Sequence, residues 1–270
     1  MGTINVGREN SAPIDIYYED QGSGPAVVLT SGWPFDSRSW EPQVHPLLAA
    51  GYRVITYDRR GFGRSSRPGT GYDFDTLAAD LGTVLNELDL RDVIFVGHSV
   101  SSMVGVLAAA ADPDRFARLI LVGPSPRYID DEGYVGGFSR ADIDELLDSL
   151  DSNYLGWSAA MAPVIMGNAE RPELGEELTN SFCRADPEIA RDFARATFLS
   201  DNRADLGRVR IPSLVLQCSQ DVIAPVAVGE YVSRELPDAE FVQLEATGHC
   251  PNLSAPDETV AAIQRFLGRR

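Results

Sequence analysis

Three residues far apart in the chain have the types and settings for nucleophilic catalysis. Ser99 stands in Gly97-His98-Ser99-Val100-Ser101, between the run Asp92-Val93-Ile94-Phe95-Val96 and the helix-forming stretch Met103 to Ala110. A serine at such a strand-to-helix hinge is lifted above the sheet, at the positive end of the helix dipole. Serine is a poor nucleophile until a base takes its proton, and the base needs an orienting carboxylate. The chain has only three histidines. His98 lies inside the hinge, where its backbone position directs it away from Ser99. His45 precedes Pro46 in an early helix, ahead of the nucleophile. His249 lies in Ala246-Thr247-Gly248-His249-Cys250-Pro251, a loop just after the final strand, and open α/β sheets place chemistry in such loops. His249 is therefore the candidate base.

The acid has to fall between Ser99 and His249 at a strand end. Asp221 directly follows the strand-like Leu214 to Gln220. The other available strand end, Leu119 to Val122, runs into Gly123-Pro124-Ser125 and meets no acid before Asp130. Asp221 would hold the His249 tautomer and stabilise its imidazolium. Acyl transfer also needs donors for a developing oxyanion. The amide of Val100, just after the nucleophile, is one candidate. Trp33, in Thr30-Ser31-Gly32-Trp33-Pro34-Phe35, is the other, with Gly32 permitting a tight turn. One residue departs from the usual G-x-S-x-G pattern: its last position is Ser101.

Positioning these residues takes a sheet. Residues 3–8 and 13–18 predict an opening hairpin, and 25–30, 53–57, 92–96, 119–122, 213–217 and 240–244 predict six further strands. Helical patterns lie between them, including about 75–89 and a closing helix from Thr259 to Phe266. Short apolar runs alternating with helices indicate an α/β fold, a mostly parallel eight-stranded sheet covered on both faces. The strand rhythm stops between about 124 and 205. Ser139 with Asp142 starts a first helix as a capping box, followed by Ile143, Leu146, Leu147 and Leu150 at helical spacing. Tyr154, Trp157 and Met161 mark a second, and Pro172 opens a third with Leu174, Leu178 and Phe182 on one face. Asp186-Pro187 starts a fourth, with Ile189, Phe193 and Thr197 aligned. Because the strands resume afterwards, 124–205 is expected to be a lid inserted into one core, formed by 1–123 and 206–270, and not an independent domain.

Composition removes other chemistries. The 270 residues carry a formal net charge of −17, which disfavours nucleic acid and anionic membrane as partners. All 23 basic residues are Arg, so neither a Schiff-base lysine nor a phosphate-loop lysine exists. Three scattered histidines give no zinc motif, and Gly61-Phe62-Gly63-Arg64 lacks the rest of a dinucleotide fingerprint, so it reads as a turn. Neither a metal nor a cofactor is expected. Cys183, Cys218 and Cys250 are too few and too dispersed for a disulfide framework. Cys250 reads as a small half-buried residue, since serine already occupies the hinge. No apolar leader and no run of about 18 apolar residues occurs, so a cytoplasmic location is expected.

These motifs resemble the α/β-hydrolase family along essentially the whole chain, including the turn Tyr57-Asp58-Arg59-Arg60-Gly61-Phe62-Gly63-Arg64-Ser65. From the hinge onward, GHSVSSMVG, GPSPRYIDD, FCRADPEIARDFARATFLSDNR, PSLVLQCSQDVIAP and GHCPNLSAPDET are similar to the bacterial RsbQ stress regulators and the plant strigolactone and karrikin receptors. That group also carries serine at the position of Ser101. Within the first 95 residues, GWPFDSRSWEPQV and LLAAGYRVITYDRRGFGRSS look closer to cofactor-free haloperoxidases and perhydrolases. Those relatives usually have histidine where Ser31 stands, and share Trp33-Pro34. The resemblance implies a four-helix cap over an apolar pocket lined by Trp33, His98, Phe138, Trp157, Phe198 and Ile223. It implies a serine hydrolase of small apolar esters or lactones. It leaves open a signalling role, with a protein phosphatase or other partner at the cap, and perhydrolase or haloperoxidase activity.

Overall fold

The computed structural model describes residues 1–268. Its eight strands form one sheet in the order β1-β2-β4-β3-β5-β6-β7-β8, with β1 Gly2–Glu9, β2 Ala12–Gln21, β3 Ala26–Thr30, β4 Arg53–Tyr57, β5 Val93–His98, β6 Phe116–Val122, β7 Ser213–Gln220 and β8 Ala239–Thr247. β2 pairs antiparallel with both β1 and β4, and the remaining pairs are parallel. The helices are α1 Glu41–Ala49, α2 Phe74–Glu87, α3 Val100–Ala111, α4 Arg140–Ser152, α5 Tyr154–Met166, α6 Pro172–Arg184, α7 Pro187–Phe198, α8 Arg203–Leu206, α9 Val226–Glu235, α10 Pro251–Ser254 and α11 Pro256–Leu267.

Alternation along the strands builds two cores. Val27 and Leu29 of β3, Ile94 and Val96 of β5 and Leu214 and Leu216 of β7 face one side, where Leu47 of α1 and Ile263 of α11 cover them. Val28, Phe95 and Val215 face the other, against Leu81 of α2, Met103 of α3 and Val232 of α9. With both faces covered, every residue of β3 and β5 is buried, which explains their continuous apolar runs. The order β4-β3-β5 reverses direction after β3, so the crevice beyond the C-terminal ends of β3 and β5 is the switch point where open sheets bind ligands.

α4 to α7 lie between β6 and β7, which are themselves neighbours in the sheet. Ser139 caps α4 as a full capping box with Asp142, and Asp186 caps α7 by accepting from the amides of Glu188 and Ile189. Ile143, Trp157, Leu178 and Phe193 of these helices belong to the same apolar cluster as the α2–α3 side of the core. The insertion thus shares its core with the sheet.

Candidate active site

Ser99 forms the junction of β5 and α3, with φ 55° and ψ −123°. A non-glycine residue rarely occupies that region, and its strain is held by the packed strand before it and the helix after it. The Ser99 amide donates to Val122 O at 2.8 Å, which fastens the turn to β6. Gly97 is needed because a Cβ there would stand 2.5 Å from the Ser101 carbonyl oxygen, at the start of α3.

The structure brings Ser99, His249 and Asp221 together from three strand ends. His249 Nδ1 lies 2.7 Å from Asp221 Oδ2, and His249 Nε2 lies 2.7 Å from Ser99 Oγ. An ionised carboxylate only accepts, so Nδ1–H donates to Asp221, which leaves Nε2 to accept from the Ser99 hydroxyl. Asp221 is oriented on both oxygens. Oδ1 accepts from the amides of Ile223 at 2.8 Å and Ala224 at 3.1 Å, and Oδ2 also accepts from Gln217 Nε2 at 3.3 Å.

The His249 loop is fixed from both sides. Its amide donates to Ile165 O at 2.9 Å, one of the last carbonyls of α5. Asn168 Nδ2, just beyond that helix, donates to Thr247 O at 3.0 Å. His98 Nε2 donates to the carbonyl oxygen of His249 at 2.8 Å. His98 therefore does not line the pocket, contrary to the expectation from the resemblance. It is buried behind the hinge as a neutral ring, because burial, with His249 nearby, pushes its pKa down to about 3. A Cβ on Gly32 would stand 2.5 Å from His98 Nδ1 and 3.1 Å from the Ser99 Cβ, so the Trp33 loop passes directly over the hinge. Val100 begins α3, where the first amides have no acceptor within the helix.

Above Ser99 lies a cavity of about 120 Å³ whose walls include Trp33, Phe138, Trp157, Phe198 and Ile223, all expected there, together with Val100. The Trp33 ring stacks on Trp157 at 6.1 Å and meets Phe182 edge-on at 5.1 Å, so a loop of the core and two inserted helices share one aromatic cluster. Tyr128, Leu146, Met161, Leu178 and Thr197 complete much of the wall. Leu146, Met161, Leu178 and Thr197 sit on the helical faces legible in the sequence. Tyr128 carries no periodic signal, because it lies in the irregular segment after β6. Cys250 also lines the cavity and is fully buried instead of half-buried, with its thiol pushed well above its ordinary pKa by burial. Among the described residues no group of three His, Cys, Asp or Glu is arranged to hold a metal ion, and no helix is long and apolar enough to cross a membrane.

Comparison with known proteins agrees with this architecture. Residues 27–262 match the Alpha/beta hydrolase family. The chain is 37% identical to Karrikin insensitive 2 receptor IA of Petunia hybrida over 91% of this chain and 92% of the relative. It is 34% identical to Strigolactone esterase D14 of Arabidopsis thaliana over 92% and 94% of the two chains. The crystal structure of bromoperoxidase from Bacillus anthracis superposes with a TM-score of 0.92 at 30% identity, covering 99% of each chain.

Proposed function

Because the chain belongs to the alpha/beta hydrolase family and is a hydrolase, we propose that it cleaves small apolar carboxylic esters or lactones through Ser99, His249 and Asp221. The observation that carries this reading is the unbroken hydrogen-bond chain from Asp221 through His249 to Ser99 at the floor of an apolar cavity. His249 takes the Ser99 proton as Oγ attacks the carbonyl carbon, and Asp221 stabilises the imidazolium that forms. The amides of Val100 and Trp33 receive the oxyanion. Collapse of the tetrahedral intermediate expels the alcohol, which takes the proton from His249. Water, activated by the same base, then releases the acid.

The cavity supports the substrate class. At about 120 Å³ it has room for a short acyl group, well under the roughly 300–1,000 Å³ of drug-sized sites. Its wall is aromatic and aliphatic, and among the described residues no arginine lines it, so nothing there would pair with an anionic substituent. Residues 124–205 serve in this reading as a cap that excludes water from the intermediate. Hydrolysis of p-nitrophenyl acetate by the parent protein, reduced to background by Ser99→Ala with the fold intact, is the expected result. A Ser99→Ala variant that turns over at the parent rate would refute it.

A second reading, ligand sensing with slow turnover, is favoured by the likeness to a karrikin-insensitive receptor. A signalling partner such as a protein phosphatase would then meet the cap, and its ligand-dependent recovery with the protein is the test. Trp33-Pro34 and the likeness to a bromoperoxidase favour added perhydrolysis, measured as peracid formed from acetate and hydrogen peroxide above background.

A further inference from the structure

Arg59 follows β4 and is almost fully buried, yet among the described residues it has no ion-pair partner. Its neighbour Arg60 shows the usual alternative: it forms a two-pronged pair with Asp80 at 2.6 and 2.7 Å. Asp58 acts on it only through space, because its oxygens accept from the Ser37 amide and from Arg64. A buried cation lacking a carboxylate is costly and has to be satisfied by dipoles. Burial lowers its pKa to about 10, which leaves the guanidinium charged at neutral pH.

All of the guanidinium's hydrogen bonds go to the loop and hinge around Ser99. Nη1 donates to Ser31 O at 2.6 Å and to Ser101 Oγ at 2.8 Å, and Nη2 donates to Gly32 O at 3.1 Å. The Ser101 hydroxyl in turn donates to Ser31 O at 2.6 Å. The rings of Phe62 and Phe193 close over the guanidinium at 5.3 and 5.2 Å. Gly32 O and the Trp33 N–H belong to one peptide group. In a trans peptide these two groups point in opposite directions, so the cation sits at the carbonyl end and the N–H faces away from it. A positive charge on the oxygen draws electron density through the conjugated C–N bond and makes that N–H a stronger donor.

We propose that Arg59 is the positioning residue of the oxyanion site, holding the Ser31-Gly32-Trp33 loop on the hinge and strengthening the Trp33 amide as a donor. This rests on the reading of Trp33 and Val100 as oxyanion donors. It also gives the atypical Ser101 a role, since its hydroxyl is bonded both to the guanidinium and to the Ser31 carbonyl.

The test compares Arg59→Met and Arg59→Lys with the parent, each first checked for its melting temperature and far-ultraviolet dichroism. With p-nitrophenyl acetate, kcat should fall about ten- to a hundredfold in Arg59→Met, a fraction of the loss for deleting an oxyanion donor outright. KM should stay within about twofold. Binding of phenylboronic acid, which forms a tetrahedral adduct on Ser99, should weaken by the same factor as kcat. Arg59→Lys keeps the charge without the fork and should lose about tenfold in kcat, and it carries the test if the methionine variant does not fold. A folded variant with kcat within twofold of the parent overturns the proposal, as does a loss confined to KM. A parent whose turnover is insensitive to Ser99→Ala instead overturns the hydrolase reading itself.

Discussion

Gly32 and His98 meet with no room for another atom, and each limits what the other can become. A methyl group on Gly32 would press on the His98 ring and the Ser99 Cβ together. Gly32→Ala should cost about 1–3 kcal/mol of stability by overpacking. It should also lower kcat about a hundredfold by displacing the Trp33 amide. Denaturant titration and steady-state kinetics measure the two effects, and an unchanged kcat would contradict the crowding. His98 supplies a pH prediction. Its pKa in the fold, about 3, lies below the ordinary 6.5, so between these values the unfolded chain binds the extra proton. Stability therefore falls as pH falls from about 6.5 towards 3. Replacing His98 by Asn removes that contribution, so the variant's denaturation midpoint should fall less steeply over the same interval. At this scale Ser99, His249 and Asp221 were legible because residue type, rarity and chain order restrict them. His98 was legible only as a neighbour of the nucleophile. That its ring turns to the His249 carbonyl is a matter of three-dimensional approach, as are the partners of Arg59.

The inserted helices show where local chemistry alone decides an element. Asp186 accepts from two amides at the start of α7, so Asp186→Ala should cost about 1 kcal/mol. Asp186→Asn should retain most of it, and urea midpoints distinguish the two. The same reasoning recovers α4 from Ser139 and Asp142 and α6 from Pro172, because caps and first-turn prolines are written in a few adjacent residues. α9 is the contrast. Val226–Glu235 carries three valines and a tyrosine among its ten residues, types that favour strands, and has no side-chain cap. It is helical because parallel β7 and β8 require a crossover between them. Tertiary context set that element, and its local signal is confined to Val228 and Val232 buried one turn apart.

For the molecule as a whole, the shared apolar cluster governs cooperativity. Ile143, Trp157 and Phe193 of the insertion pack in the same cluster as Phe95 and Met103 beneath the hinge. Chemical unfolding should accordingly proceed in one transition, with tryptophan emission and far-ultraviolet dichroism giving the same midpoint. Two separated midpoints would show that residues 124–205 melt on their own. The fold class was readable at this scale, since an opening hairpin, six short strand runs and their spacing leave few alternatives to a doubly covered sheet. The anchoring of the insertion to the His249 loop was not, because it runs through backbone groups. That anchoring bears on how such chains can be recombined. Ile165 O and Asn168 tie α5 to the amide of His249 and to Thr247 O. A chimaera taking its helices from a relative and its sheet from this chain would inherit a His249 loop whose support comes from foreign sequence. The helices and the loop 247–249 therefore form one unit of inheritance, although 79 positions separate Asn168 from Thr247 along the chain.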